Sequence, residues 1–484
     1  LKFFMTNYHD KYEIVMGLET HVRVKSQTKM FCTCKNATDL APEPNIHVCP
    51  VCMGFPGQLP TLSEGVVDLV VRASHALSSH VQNVSEFDRK SYFYPDLPMA
   101  YQITQMYHPI TMGGEVRTLV DGELKTFRIH HMHIENDAGK LVHANGKTLC
   151  DYNRAGSPLM EIVTEPDFRS KADVLAYLEE IQKLMRWCGA SDADMEKGQL
   201  RCDVNISIRP HGQKEFGTRV ELKNINSFSS IGRAIDAEFA RQVEILEEGG
   251  TLDQETRGWN DEKGYSTSLR SKEDAMDYRY FPDPDLPPLH ISDEFISERK
   301  LSELPIDRRL KYLNEYKLIE DDARILSNDR ITSDFYEELV NISGDPKKSC
   351  SYITTVLFAI FESAPEKITL ADTKAETREF AEVIKMVNAD EISSTNSKIV
   401  MEKLVFEGGN AREWTEKLGL KQSNDTGALE AIVDEVLAQN ASQVEEYKDG
   451  KENLFGFFVG QCMKASKGQG NPKMFTEILK KKLS

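Results

Sequence analysis

Tyr12-Glu-Ile-Val-Met-Gly-Leu-Glu-Thr-His-Val-Arg-Val24 is the stretch on which the fold turns. Ile14, Met16, Leu18, Val22 and Val24 share one face, and Glu13, Glu19, His21 and Arg23 share the other. That period of two is the mark of a half-buried strand. Leu200, Cys202, Val204, Ile206 and Ile208 alternate as cleanly with Arg201, Asp203, Asn205 and Ser207. Arg219, Glu221 and Lys223 stand opposite Val220 and Leu222 in a third such run. Between these runs the spacing turns helical. Val174, Leu178, Ile181 and Met185 predict a helix ending at Gly189, and Ile231, Ile235, Phe239, Val243 and Leu246 predict one ending at Gly249-Gly250. Strands that pair mostly antiparallel, interrupted by a few helices, make an α+β layout.

Phe281-Pro-Asp-Pro-Asp-Leu-Pro-Pro288 can continue neither a helix nor a central strand, so a domain boundary is expected near residue 292. Beyond it the chain reads as helical, with a second boundary near Phe406-Glu-Gly-Gly409. The expected domains are therefore 1–292, 293–405 and 406–484. The last carries an amphipathic helix (Leu429, Ile432, Val433, Val436, Leu437) and a reversed charge: Lys464, Lys467, Lys473, Lys480, Lys481 and Lys482 face Glu477 alone after residue 454. The whole chain has 59 basic against 77 acidic residues, a formal net charge of −18. Indiscriminate nucleic-acid binding is thereby excluded, because it draws on neutralised phosphates. A nucleic-acid partner must meet a local basic patch, and the lysine-rich end is either that patch or a solvated terminus. No apolar run approaches the ~18 residues of a membrane span. No targeting segment is visible at the start.

Nine cysteines, an odd number, fit a reducing compartment better than a disulfide framework. Four of them cluster as Cys32-Thr-Cys34 and Cys49-Pro-Val-Cys52. Two close thiol pairs joined by a loop suit a closed, structural Zn²⁺ site. Glu19 and His21 project from one strand face and could share a divalent cation. His130-His-Met-His-Ile-Glu-Asn-Asp137 is a second dense cluster, with His131, His133 and Glu135 on one face and Asn136 on the other. Asp151, Asn153, Arg154 and Glu161 follow, then Asp203, Asn205, Glu221 and Lys223. Carboxylates to hold a metal, with cations to neutralise a transferring phosphoryl group, are what Mg²⁺–nucleotide chemistry requires. Neither a Walker P-loop nor a kinase glycine loop occurs, and no amidase-like Ser/Lys array is present.

Gly17-Leu-Glu-Thr-His-Val22, Asn45-Ile-His-Val-Cys-Pro-Val-Cys52, Phe87-Asp-Arg-Lys-Ser-Tyr-Phe-Tyr-Pro-Asp-Leu-Pro98 and Asp151-Tyr-Asn-Arg-Ala-Gly-Ser-Pro158 resemble the GatB family, the B component of aspartyl/glutamyl-tRNA amidotransferases. So do Arg201-Cys-Asp-Val-Asn205, Glu221-Leu-Lys-Asn-Ile-Asn-Ser-Phe228 and Asp277-Tyr-Arg-Tyr-Phe-Pro-Asp-Pro284. The resemblance is dense over residues 12–290, weakens over 300–400, and returns in Gly456-Phe-Phe-Val-Gly-Gln-Cys-Met-Lys-Ala-Ser-Lys-Gly-Gln-Gly-Asn-Pro472.

This resemblance implies a glutamine-synthetase-like catalytic domain, a helical linker domain and a helical tail similar to YqeY. It also implies a heterotrimer with two partners, the amidase (GatA) and a small third protein (GatC). ATP would phosphorylate the side-chain carboxylate of a misacylated tRNA, Glu-tRNA(Gln) or Asp-tRNA(Asn), and ammonia from the amidase would displace the phosphate. Glu19, His21, Glu135 and Asn136 match the family's Mg²⁺-binding positions, with Asn136 standing where the family's His-x-Glu-Glu-Asp run has a carboxylate. Lys90 matches an active-site lysine, and it joins Arg154, Glu161, Asp203, Glu221 and Lys223 as expected catalytic groups. Asp151, Asn153 and Asn205 are the expected nucleotide contacts. The four cysteines match a zinc knuckle found in some members, and the lysine-rich tail matches the family's tRNA-contacting module. Bacterial cytoplasm and an organellar matrix both fit. Two other readings are an inactive zinc-stabilised tRNA-binding scaffold and the archaeal Glu-tRNA(Gln)-specific paralogue, whose extra inserted domain has no counterpart between Pro288 and Ile291.

Overall fold

The structure, a computed structural model, describes residues 8–36, 43–271, 277–422, 425–466 and 469–483. Its contacts divide the chain into two compact units, residues 1–306 and 307–484.

The first unit is built on a ten-stranded sheet. In chain order the strands are β1 (Tyr12–Arg23), β2 (His80–Val81), β3 (Thr111–Met112), β4 (Glu115–Val120), β5 (Glu123–Asn136), β6 (Pro158–Thr164), β7 (Leu200–Pro210), β8 (Val220–Lys223), β9 (Glu255–Asn260) and β10 (Tyr265–Ser271). Across the sheet they run β10-β9-β8-β7-β1-β6-β5-β3-β2, with β4 paired to β5 beside this path. All these pairs are antiparallel except β8–β9. β1 is the central strand, laddered to β6 on one side and along its length to β7 on the other.

One sheet face is apolar and covered by helices, as the alternation in β1 and β7 requires. Met16, Leu18, Val22, Val204 and Ile206 are enclosed in one core with Val174, Leu178, Ile181, Ile231, Ile235 and Phe239. The last six come from α2 (Lys171–Trp187) and α3 (Phe228–Glu247). α2 starts at a capping box in which the Ser170 hydroxyl accepts from Asp173 N. α3 starts where Ser227 accepts from Ser230 N. Gly189 and Gly249, with φ of +75° and +76°, follow the two helix ends as the sequence predicts. α1 (Glu64–Ala76) adds Val66, Val67, Val70 and Val71 to the same core.

The second unit is helical among its described residues and holds two separate apolar clusters, one spanning residues 312–411 and the other 429–483. No helix among the described residues is long and apolar enough to cross a membrane.

Candidate active site

Glu19 and His21 lie two apart on β1, so both side chains leave the polar face of the sheet. Neighbouring strands build a cluster on each flank. On the β6 side the register sets His21 opposite Glu161, and β5 sets His133 opposite the same Glu161 and Glu135 opposite Leu159. His21 Nε2 lies 3.3 Å from Glu161 Oε2 and 3.7 Å from Glu135 Oε1. His133 Nε2 lies 3.2 Å from Glu161 Oε2 and 3.8 Å from Glu135 Oε2. On the β7 side Glu19 stands opposite Asp203, and Asn205 opposite Glu221 of β8. Lys223 Nζ bridges Asp203 at 2.5 Å and Glu221 at 2.9 Å, while Asn205 Nδ2 donates to Glu19 Oε1 at 3.0 Å.

The donor atoms of His21, Glu135 and Glu161 lie within 4.8 Å of one another, as do those of Glu19, Asp203 and Glu221. Carboxylate oxygens alone suit a hard cation such as Mg²⁺, and an imidazole widens the choice to transition metals. Sequence spacing placed Glu19 and His21 on one ion; the structure gives each its own trio. The trios nevertheless feel each other, since burial and then the charge of Glu161 raise the Glu19 carboxyl.

Burial alone would lower the His21 and His133 imidazoles. Glu161 and Glu135 outweigh it and bring them up to about 9 and about 10. Burial would likewise raise the two carboxyls, and hydrogen bonds from the imidazoles hold both below the usual range instead. The cluster thus carries its compensating charge as imidazolium protons. Lys90 faces the same trio: burial would lower its ammonium, but Glu135 together with other nearby charges, Glu161 among them, raises it, and it sits 4.9 Å from the Tyr278 ring centroid.

A cavity of about 520 Å³ opens beside the clusters, lined by His21, Asp203 and Lys223 together with Arg23, Asp137 and Arg201. Arg154 Nε lies 3.3 Å from Asp137 Oδ2, and the charges of Arg201 and Arg23 also act on that buried carboxyl. Arg23, Arg201, Asp137 and the role of His133 were missed in the sequence. A signal was present for the arginines, which continue the period-two rows of His21 and Asp203.

Three expected residues do other work. Asn136 follows Glu135 in an unbroken ladder, so the pleat turns it to the opposite face; there its Oδ1 accepts from Ile103 N at 2.6 Å. It joins neither trio. Asp151 Oδ1 accepts from Asn45 N and from Asn153 N, and Asn153 accepts from His47 N while donating to Glu43 O. Both fasten the cysteine-bearing loop rather than line the cavity.

Sγ atoms of Cys32, Cys34, Cys49 and Cys52 also lie within 4.8 Å of one another. A tetrahedral Zn²⁺ with ~2.3 Å bonds needs sulfurs about 3.8 Å apart, so the donor set fits zinc. Of the tail lysines, Lys464, Lys473 and Lys480 are exposed. Lys481 is exposed too, but it has a partner. Lys473 pairs with Asp390 at 3.0 Å and Lys482 with Asp434. Lys467 lies outside the described residues.

Residues 14–297 match a family model described as the GatB/GatE catalytic domain, and residues 334–483 match a GatB domain model, GatB_Yqey. Curated relatives named as the B subunit of aspartyl/glutamyl-tRNA(Asn/Gln) amidotransferase match over nearly the full length. The protein of Persephonella marina is 44% identical over 98% of this chain and 100% of its own. Those of Carboxydothermus hydrogenoformans and Syntrophotalea carbinolica are 44% and 46% identical, each over 98% of this chain and 99% of their own.

Proposed function

The chain belongs to the GatB family of aspartyl/glutamyl-tRNA(Asn/Gln) amidotransferase subunits, and we propose that the polar face of its ten-stranded sheet phosphorylates the side-chain carboxylate of Glu-tRNA(Gln) or Asp-tRNA(Asn) at the expense of ATP and then amidates it. As a member it is part of a ligase that forms a carbon–nitrogen bond. The observation that carries the reading is the pair of metal-competent trios set on either side of β1 by Glu19 and His21.

His21, Glu135 and Glu161 would hold one Mg²⁺, and Glu19, Asp203 and Glu221 a second. Bound there, divalent cations supply Lewis-acid neutralisation of phosphoryl charge. The chain's own cations work around them. A transferring phosphoryl group spreads negative charge over its oxygens, and positioned ammonium and guanidinium groups stabilise it without reorganising. Lys223 and Lys90 flank the trios, and Arg23, Arg154 and Arg201 make a cationic corner on Asp137 at the cavity wall. Ammonia arrives from a glutamine-hydrolysing amidase partner, GatA, held in the heterotrimer with the small partner GatC. Residues 406–484 contact the tRNA, and the complex works in the bacterial cytoplasm.

The test is ADP formation by the assembled complex given ATP, Mg²⁺ and misacylated tRNA but no amide donor. ADP should appear with the misacylated tRNA and not with uncharged tRNA. Equal ADP in both cases would remove the phosphorylation step from the reading.

A further inference from the structure

Lys29 is wholly buried, and Cys52 beside it is only 3% exposed. The ammonium Nζ lies 3.6 Å from Cys52 Sγ and 3.2 Å from the Tyr152 carbonyl oxygen, to which it donates. A buried ammonium needs an opposite charge and filled hydrogen bonds to be tolerated. The Tyr152 carbonyl accepts one of its hydrogen bonds and carries no charge. Four thiolates around Zn²⁺, Cys52 among them, supply the opposite charge, because the unit carries a net charge of about −2 when every cysteine is deprotonated.

The other partner of Lys29 leads towards the cleft. Tyr152 belongs to a segment, residues 150–156, that touches the cysteine loop all along its length. Asn45 donates to the Cys150 carbonyl and accepts from Tyr152 N, His47 N donates to Asn153, and Met30 N donates to the Gly156 carbonyl. Gly156 has a φ of +86°, and a Cβ there would meet Cys52 Cβ at 3.5 Å and Lys29 Cδ at 3.6 Å. From the far side of the same segment, Arg154 donates to the Ala138 and Gly139 carbonyls and pairs with Asp137, while Gly156 N donates to the Asp137 carbonyl. Asp137 lines the cavity.

We propose that Lys29 is the built-in counter-ion of the zinc tetrathiolate and that, through the Tyr152 carbonyl, it makes zinc occupancy set the position of residues 150–156, and hence of Arg154 and Asp137 at the cleft. Lys29 is a positioning residue: it touches neither the cavity nor either trio. The claim about zinc and the segment stands on this geometry alone, and only its consequence for turnover rests on the function proposed above.

The experiment compares the purified full chain with Lys29→Met and Lys29→Arg, and with the wild-type chain stripped by a chelator. Zinc affinity is read by competition with a chromogenic chelator, and backbone order by hydrogen exchange. Lys29→Met should bind zinc about 10- to 100-fold more weakly, the range typical of lost outer-sphere partners, with Lys29→Arg recovering most of it. Amides of residues 150–156 should exchange faster in Lys29→Met and in stripped wild type, while those of α2 and α3 stay protected. Unchanged zinc affinity in Lys29→Met overturns the counter-ion role. Stripped wild type with undisturbed exchange at 150–156 overturns the coupling, even if the Met variant fails to fold. In the assembled complex, Lys29→Met should lower kcat for amidation while the KM for ATP stays near its wild-type value, with partial rescue of kcat by Lys29→Arg. Unchanged turnover alongside the zinc and exchange effects would count against the catalytic reading of the Arg154–Asp137 corner and leave the coupling standing.

Discussion

His21 on β1 and Glu161 on β6 face each other across one rung of the central ladder, with the imidazole Nε2 3.3 Å from the carboxylate oxygen. Glu161 receives His133 from the next strand as well, so it is the hinge of the whole β6-side cluster. Replacing His21 with Ala, or Glu135 or Glu161 with Gln, removes a proposed metal donor without touching the apolar face. Amide formation on misacylated tRNA should fall about 10²- to 10³-fold, as for other lost electrostatic stabilisers of a transition state. Binding of the tRNA, measured by filter retention, should stay within about threefold of wild type if its affinity comes mainly from phosphate contacts elsewhere.

Proton release follows from the same contacts. Without metal, His21 and His133 stay protonated up to about 9 and about 10. A coordinating imidazole must be neutral, so a cation entering the His21 trio has to displace a proton. The sign is therefore fixed: Mg²⁺ affinity should rise as pH increases from 7 towards 9 and then level off. Titration calorimetry in two buffers of different ionisation enthalpy should show proton release at pH 7 and less of it at pH 9. Affinity independent of pH over this window would show that His21 does not ligate the ion.

Asn136 separates a structural role from a metal role. Its Oδ1 satisfies the N–H of the fully buried Ile103. Asn136→Ala leaves that donor unpaired, at a cost of about 1–3 kcal/mol. Urea denaturation should report this loss, while the Mg²⁺ concentration for half-maximal rate stays where it was. A shifted Mg²⁺ curve with unchanged stability would return Asn136 to the ligand set.

Period-two rows made the sheet readable. Glu19 and His21, like Asp203 and Asn205, advertise a polar face because every second neighbour is apolar, and α2 and α3 announce their ends with glycine. Partners across strands were harder to read. Glu161 could be suspected but not joined to His21, since the β1–β6 register depends on tertiary pairing rather than local pattern. Asp151 and Asn153 looked like nucleotide contacts because their partners, Asn45 and His47, lie more than a hundred residues away. Asn136 was drawn into the metal set by its place in a family motif, although strict alternation already set it on the opposite face from Glu135.

The lysine-rich end yields the last prediction. Six lysines look alike in sequence, but the surroundings of the described ones differ. Lys473 pairs with Asp390 and Lys482 with Asp434, so each already has an acidic neighbour within the unit. Lys480 to Lys482 also occupy the last turn of the helix Pro472–Leu483, where cations complement the helix dipole whatever else they do. Lys464 and Lys480 are the exposed members for which no acidic partner is seen among the described residues. If the tail meets RNA phosphate, Lys464→Gln and Lys480→Gln should each weaken tRNA binding and reduce the slope of log affinity against log salt by about 0.7–0.9. Lys473→Gln and Lys482→Gln should move the slope less, and change the stability of the second unit by about 1 kcal/mol at most. Binding of labelled tRNA across a salt series for the four variants distinguishes the pairs. Identical slopes for all four and the wild type would make the basic end a solvated terminus rather than an RNA contact.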